Sequence, residues 1–311
     1  MIKIDLITGF LGSGKTTFIK KYADYLVNEG YKIGIIENDF GAVNVDMMLL
    51  QDAMGEKCDL EMISGGCDQE THHRRFKTKL IAMGMLGYDR ILIEPSGIYD
   101  VDEFFDVLYE EPLDQWYEIG SVIAIVDAKL EAQLSDESEY LLASQVANAG
   151  TVILSRCQDA SENEMKETIA HINRALKKVH CKRQIDHEII RKNWDAMDGE
   201  DFEQILSGGY VAENYIKMAF DQNQQFTSLY FMNVELSQEQ LCDAIRHLMT
   251  DSACGHIFRI KGFMPLPDNQ WIEINATKHD LTVEPINIGQ KVIIVIGEHL
   301  NESKIRAYWK K

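Results

Sequence analysis

Gly9-Phe10-Leu11-Gly12-Ser13-Gly14-Lys15-Thr16 is a G-x-x-x-x-G-K-[ST] run. Glycines at this spacing let the backbone fold so that consecutive N–H groups, from Gly12 through Ser13 and Gly14 to Thr16, point inward at phosphate oxygens. The Lys15 ammonium then reaches the β- and γ-phosphates of a nucleoside triphosphate, and the Thr16 hydroxyl ligates Mg²⁺. A helix starting near Lys15 adds its positive N-terminal end. Such a loop needs a second acidic residue at the end of a neighbouring strand to manage the Mg²⁺. Arg90-Ile91-Leu92-Ile93-Glu94-Pro95-Ser96-Gly97 supplies Glu94, and Gly97 can set a bare amide against the γ-phosphate. Ile35-Ile36-Glu37-Asn38-Asp39 ends another apolar run. Glu37 and Asp39 are candidates to orient water or bind a metal, Asp39 beside the Mg²⁺, because ligands of open α/β sheets sit at the carboxyl ends of strands. A solvated loop is the other reading of those two acids.

The elements that must position these groups alternate. Strands are expected at Ile2–Ile7, Lys32–Glu37, Arg90–Glu94, Val122–Val126 and Thr151–Leu154, and helices at Lys15–Asn28, Gln69–Met83, Ser138–Asn148 and Ser161–Lys178. Strands apolar throughout suit a sheet covered on both faces. The alternation predicts an α/β fold, a doubly wound, mainly parallel sheet, over residues 1–208. Residues 209–224, with the polar run Asp221-Gln222-Asn223-Gln224, read as a linker. From 225 to 311, a strand, a helix opened by Ser237, four further strands and a closing helix at Asn301–Trp309 predict a small α+β domain.

Composition excludes several classes of function. The chain has 311 residues, 31 Lys and Arg against 50 Asp and Glu, and a net charge of −19. That balance opposes general nucleic-acid binding, which needs a basic surface. The longest apolar stretch, Ile119–Val126, is broken by Gly120 and Ser121 and falls far short of the roughly 18–20 residues a membrane span requires. Without a recognisable leader at Met1–Ile7, a cytoplasmic location is expected. Six scattered cysteines form neither a disulfide scaffold nor a C-x-x-C zinc ribbon. Residues 91–128 hold ten acids and no Lys or Arg, whereas His72-His73-Arg74-Arg75-Phe76-Lys77-Thr78-Lys79 is a basic run. Both read as solvated faces, with cation collection or partner docking as the functional alternatives. Asp127 is expected to cap a following helix.

Thr8-Gly9-Phe10-Leu11-Gly12-Ser13-Gly14-Lys15-Thr16-Thr17, Glu37-Asn38-Asp39-Phe40-Gly41, Gly65-Gly66-Cys67 and Glu94-Pro95-Ser96-Gly97 together resemble the CobW-like metallochaperone P-loop GTPases. His256-Ile257-Phe258-Arg259-Ile260-Lys261-Gly262 is similar to the start of that family's C-terminal domain. The resemblance implies slow Mg²⁺-dependent GTP hydrolysis coupled to metal delivery or to activation of a client metalloprotein or cofactor-dependent enzyme. It adds Thr17 to the nucleotide contacts. An Arg of the basic run offered to a phosphate across a nucleotide-dependent homodimer is a further expectation.

Two departures from the family pattern matter. The Cys-x-Cys-Cys metal motif is reduced to Cys67, followed by Asp68, Gln69 and Glu70. Cys67, Glu70, His72 and His73, with Glu37 or Asp39, offer a mixed S/N/O ligand set for Zn²⁺ or Co²⁺. The alternative is an ordinary helix start that binds no transition metal. The base-reading motif Asn-Lys-x-Asp is replaced by Ser155-Arg156-Cys157-Gln158. Gln158 has one acceptor where a carboxylate has two, so guanine is favoured less decisively and ATP stays open beside GTP. Asp159 can serve if the loop shifts by one residue, and the Arg156 stem can lie over the base. A small-molecule kinase and a nucleotide-dependent regulator without turnover are the competing classes.

Overall fold

The computed structural model describes residues 1–39, 55–64, 69–99, 101–186, 189–218, 225–266, 270–286 and 289–310. The chain divides into two compact units, Met1–Met218 and Ala219–Lys311. In the first, β1 (Ile2–Thr8), α1 (Lys15–Asn28), β2 (Ile33–Asp39), β3 (Cys58–Ser64), α2 (Gln69–Gly84) and β4 (Arg90–Pro95) come in turn. They are followed by α3 (Val101–Leu108), α4 (Leu113–Trp116), β5 (Tyr117–Asp127), α5 (Asp136–Ala147), β6 (Thr151–Ser155), α6 (Glu162–Lys178), β7 (Ile189–Ile190) and α7 (Gly199–Ser207). Among the described residues the sheet has seven strands in the order β3-β2-β4-β1-β5-β6-β7, every pair parallel. The central position of β1 puts the loop after it at the carboxyl edge, where the strand order reverses.

One face of the sheet packs on α1 and α7. Ile7, Ile33, Ile35, Leu92, Ile123, Ile125 and Ile153 meet Phe18, Ile19, Tyr22 and Leu26 of α1 and Phe202 and Ile205 of α7. Each such aliphatic side chain, fully buried, is worth about 1.5–3 kcal/mol. At the amino end of the strands the core carries a charge. Asp5 on β1 is fully buried and accepts from the Arg90 guanidinium of β4, from Tyr22 Oη at 3.0 Å and from the Ser121 N–H at 2.7 Å. Burial pushes its carboxyl above the ordinary value, and Arg90 works against that rise.

Helix starts follow local chemistry. Ser161 and Glu164 close a capping box at α6, and Asp198 and Asp201 do so at α7. Ser135 caps α5, which therefore begins at Asp136 rather than at Ser138. Asp127, expected as a cap, instead accepts from the Lys129 N–H at 2.8 Å and pairs with Arg156.

The expected linker is divided. Residues 209–218 belong to the first unit: the Gly209 carbonyl accepts from Val122 N–H at 2.9 Å, Val211 N–H donates to Asn148 O at 3.0 Å, and Ile216 N–H donates to Val179 O at 2.8 Å. Residues 219–224 lie outside the described residues.

The second unit runs β8 (Phe226–Met232), α8 (Gln238–Leu248), β9 (His256–Pro265), β10 (Trp271–Ala276), β11 (Leu281–Ile286), β12 (Val292–Glu298) and α9 (Glu302–Tyr308). Its sheet is antiparallel, in the order β11-β10-β9-β12-β8. Leu241, Ile245 and Leu248 of α8 and Ile305 of α9 close its core over Ile257, Ile260, Ile272, Ile274 and Val295.

Candidate functional site

The glycine loop turns on three residues of positive φ: Gly9 at 148°, Gly12 at 75° and Gly14 at 101°. A Cβ at Gly9 would fall 2.2 Å from the Ile125 carbonyl oxygen, so only glycine fits there. Gly14 is the N-cap of α1 and gives the helix no side-chain cap. The first-turn amides of a helix that starts this way can satisfy an anion. Lys15 is buried, and its ammonium spans the loop to donate to the Gly9 carbonyl at 2.9 Å. Ser13 Oγ is buried and has no hydrogen-bond partner among the described residues. Such an orphaned hydroxyl inside a ring of amides is what a phosphate-binding loop leaves behind.

Thr16 Oγ1 donates to Glu94 Oε1 at 2.8 Å. Glu37 of β2 stands in register with Glu94 of β4, so the two buried carboxylates lie side by side on the α1 face of the sheet. A hydroxyl and two carboxylates form a hard, all-oxygen donor set that fits Mg²⁺. Asp39 is the last residue of β2. Gly97 sits so close beneath the loop that a Cβ would approach Leu11 N to 2.7 Å. Its carbonyl accepts from Gln145 Nε2 at 3.0 Å, and Ser96 N–H donates to Asn38 O at 2.8 Å, tying the end of β4 to α5 and β2. The structure therefore gathers Gly12, Ser13, Gly14, Lys15, Thr16, Glu37, Glu94 and Gly97 at one end of the sheet.

The base-reading segment follows β6. Arg156 adopts left-handed backbone, φ 55°. Its guanidinium pairs with Asp127 and donates through Nη2 to the Gly12 carbonyl at 3.1 Å. Ser155 is buried, and Gln158 donates its amide to Asp159 Oδ2 at 3.0 Å on the surface. Burial pushes the Cys157 thiol up to about 11. Sequence reasoning missed Trp194. The benzo edge of its indole lies about 3 Å from where a Gly14 Cβ would stand, near Ser155, and its ring packs edge-on against Phe18 at 5.5 Å. The Lys21–Asp195 ion pair, 2.7 Å, fixes the turn that carries it to α1. An aromatic soon after the short strand β7 is the one sequence signal that could have marked it.

Part of the expected transition-metal ligand set falls outside the described residues. Cys67, Asp68 and the 40–46 stretch lie outside the described residues. Glu70 is exposed in the first turn of α2 and His72 is buried. His73 turns to Glu110, Nε2 to Oε1 at 2.7 Å, while Lys77 holds the other oxygen at 2.6 Å. These two bonds, Lys77 first, pull the Glu110 carboxyl below its ordinary value. In this structure His73 is a hydrogen-bond partner of Glu110. Among the described residues no three His, Cys, Asp or Glu side chains converge as a metal site, and no helix is long and apolar enough to cross a membrane.

A family profile described as the CobW/HypB/UreG nucleotide-binding domain matches residues 3–185. This chain belongs to that family. A second profile, the cobalamin synthesis protein CobW C-terminal domain, matches residues 230–311. Among relatives of this CobW-family protein, the zinc chaperone YjiA of Escherichia coli is 33% identical over 182 residues, 55% of each chain. The zinc chaperone YeiR of the same organism is 28% identical over 200 residues, 64% of this chain and 57% of its own. A zinc-regulated GTPase metalloprotein activator 1 from Dictyostelium discoideum is 26% identical over 212 residues, 55% of this chain and 44% of its own. The matches thus span about half the length of these relatives. The crystal structure of Zn(II)-bound YjiA GTPase from E. coli aligns over 99% of this chain and 98% of its own at 19% identity, with a TM-score of 0.34.

Proposed function

We propose that this CobW-family protein is a cytoplasmic GTPase that uses Mg²⁺ and a GTP cycle to hand a transition metal, Zn²⁺ first, to a client metalloprotein. The observation that carries the reading is the loop in which Lys15 spans to Gly9 while Thr16 is held by Glu94. Lys15 and the amides from Gly12 to Thr17 stabilise charge on the phosphates, and catalysis is mainly positioning and electrostatics. Thr16 and Glu94, with one of Glu37 and Asp39, would hold the Mg²⁺, which would supply positive charge against the phosphates. The other of Glu37 and Asp39 would orient the attacking water. The names of YjiA, YeiR and the metalloprotein activator support zinc as the cargo. Delivery is assigned to Cys67, with Glu37, Glu70 and His72 as further candidate ligands. Titration of the protein, loaded with a non-hydrolysable GTP analogue, with Zn²⁺ tests this. Cys67→Ser should weaken Zn²⁺ by about tenfold or more, as loss of a ligand does. Equal affinity removes Cys67 from the delivery step.

One observation favours a second reading, in which ATP competes with GTP. Gln158 has turned its amide to Asp159, and no carboxylate stands at position 158 to take two hydrogen bonds from guanine. Competition of GTP and ATP against one labelled analogue measures the preference. Gln158→Asp should raise the GTP-to-ATP affinity ratio by about tenfold or more, since a site built to hydrogen-bond rejects ligands lacking the match. An unchanged ratio places base selection elsewhere.

A further inference from the structure

We propose that the groove between β3 and α2 is a docking site for an acidic, partly apolar segment of a partner protein. The groove has a volume of about 690 Å³. Met62, Ile63 and Ala82 supply apolar lining, and Arg74, Arg75 and Lys79 supply cations. Among the described residues β3 is the edge strand of the sheet, so one wall of the groove is that margin and the other a helix face. Arg74 is exposed and has no ion-pair partner among the described residues, whereas Lys79 is joined to Glu61 at 2.7 Å.

The charge of this groove opposes that of the chain. In a protein of net charge −19, a groove lined by Arg74, Arg75 and Lys79, the last already paired with Glu61, is locally more positive than its surroundings and draws in carboxylates that the protein as a whole repels. The apolar lining selects among anions. A long polyanion would leave Met62, Ile63 and Ala82 uncovered and would be repelled by the protein as a whole. A peptide alternating carboxylate and apolar side chains satisfies both parts of the lining. A second copy of this chain is disfavoured, because a two-fold contact through this groove would bring like cations together.

The position gives the docking a purpose, and this part rests on the proposed metal delivery. β3 ends at Ser64 and α2 begins at Gln69, so the two walls of the groove are the elements that bracket Cys67 in the chain. A client segment seated there is held beside the stretch assigned to the cargo.

Fluorescence anisotropy on the full chain tests the site with two labelled peptides of about ten residues, one alternating Glu and Val and one alternating Lys and Val. The Glu–Val peptide should bind saturably and weaken with added salt, and the Lys–Val peptide should not bind. Arg74→Glu with Arg75→Glu should weaken the Glu–Val peptide by about tenfold or more while the melting temperature stays at the wild-type value, and Arg74→Ala alone should give a smaller loss. Equal binding of the two peptides overturns the proposal, as does an unaffected double variant. So does sedimentation showing that the wild-type chain forms a dimer the double variant cannot. If wild-type protein binds the Glu–Val peptide but neither binds nor hydrolyses GTP, the proposed GTPase reading falls and the docking site stands.

Discussion

Lys15→Ala lowers GTP turnover by about 10²–10³-fold, the cost of removing one preorganised charge-stabilising donor from a water-poor site. Single-turnover phosphate release and equilibrium binding of a labelled triphosphate measure it together. The ammonium is already held across the loop by the Gly9 carbonyl at 2.9 Å, so the lysine is oriented before ligand arrives. Alanine loses the charge and leaves the Gly9 carbonyl without that donor. Affinity for triphosphate should fall more than affinity for diphosphate, because the lost contact is to the terminal phosphate groups. Thermal stability should change little, since the phosphate loop is a binding device. Wild-type triphosphate affinity in this variant would dismiss the loop as the nucleotide site.

Arg90→Leu has the largest effect on folding. Asp5 and Arg90 are both buried, and removing one partner leaves a charge in the core without compensation, at a cost of about 3–5 kcal/mol. Differential scanning calorimetry should show the first unit melting about 10 °C lower. The direction with pH follows from the titration of Asp5. Burial already raises its pKa, and Arg90 is the strongest influence holding it down. Without Arg90 the carboxyl rises further. A carboxyl with a folded pKa above its unfolded value contributes stability that is complete below the unfolded pKa and is lost as pH climbs through the folded one. The deficit of Arg90→Leu should therefore be smaller near about pH 5 than near about pH 8. Asp5→Asn in the Arg90→Leu background should recover part of the loss, because the amide oxygen still accepts from the Ser121 N–H while the amide nitrogen can donate to Tyr22 Oη, without carrying charge. A pH-independent deficit would mean that the cavity left by the guanidinium, rather than the stranded carboxylate, dominates.

The sequence was most legible where local chemistry and chain order coincide. The Gly-Lys-Thr start and the apolar periodicity of Phe18, Tyr22 and Leu26 give α1 its bounds, Lys15–Asn28, in agreement with the fold. The cores of β4 and β6 were equally plain, because strands buried on both faces leave unbroken apolar runs, and β1 was read through Lys3 and Asp5 by its flanking Ile and Leu residues. β3 was not read, because Asp59 and Glu61 interrupt its apolar side chains at the sheet edge. α3 was hidden by the acids that suggested a solvated patch, although Val101, Phe104, Val107 and Leu108 form a buried stripe between them. In the site, Lys15, Thr16 and Glu94 announce themselves by spacing. Trp194 does not: its contact with Gly14 joins positions far apart in the chain, and only the fold of β7 beside β6 makes them neighbours. The contact of His73 with Glu110 was illegible for a related reason, since the two lie far apart in sequence.

The close approach of Gly97 to Leu11 has a mechanical consequence. The turn after β4 abuts the backbone of the phosphate loop on one side, and Gln145 grips its carbonyl on the other. A turn wedged in this way has no room to recoil when the terminal phosphate departs. On the proposed GTP cycle, a displacement that reports hydrolysis would leave through the outer strands, where β2 and β3 run to the margin of the described sheet, and Cys67 follows β3 in the chain.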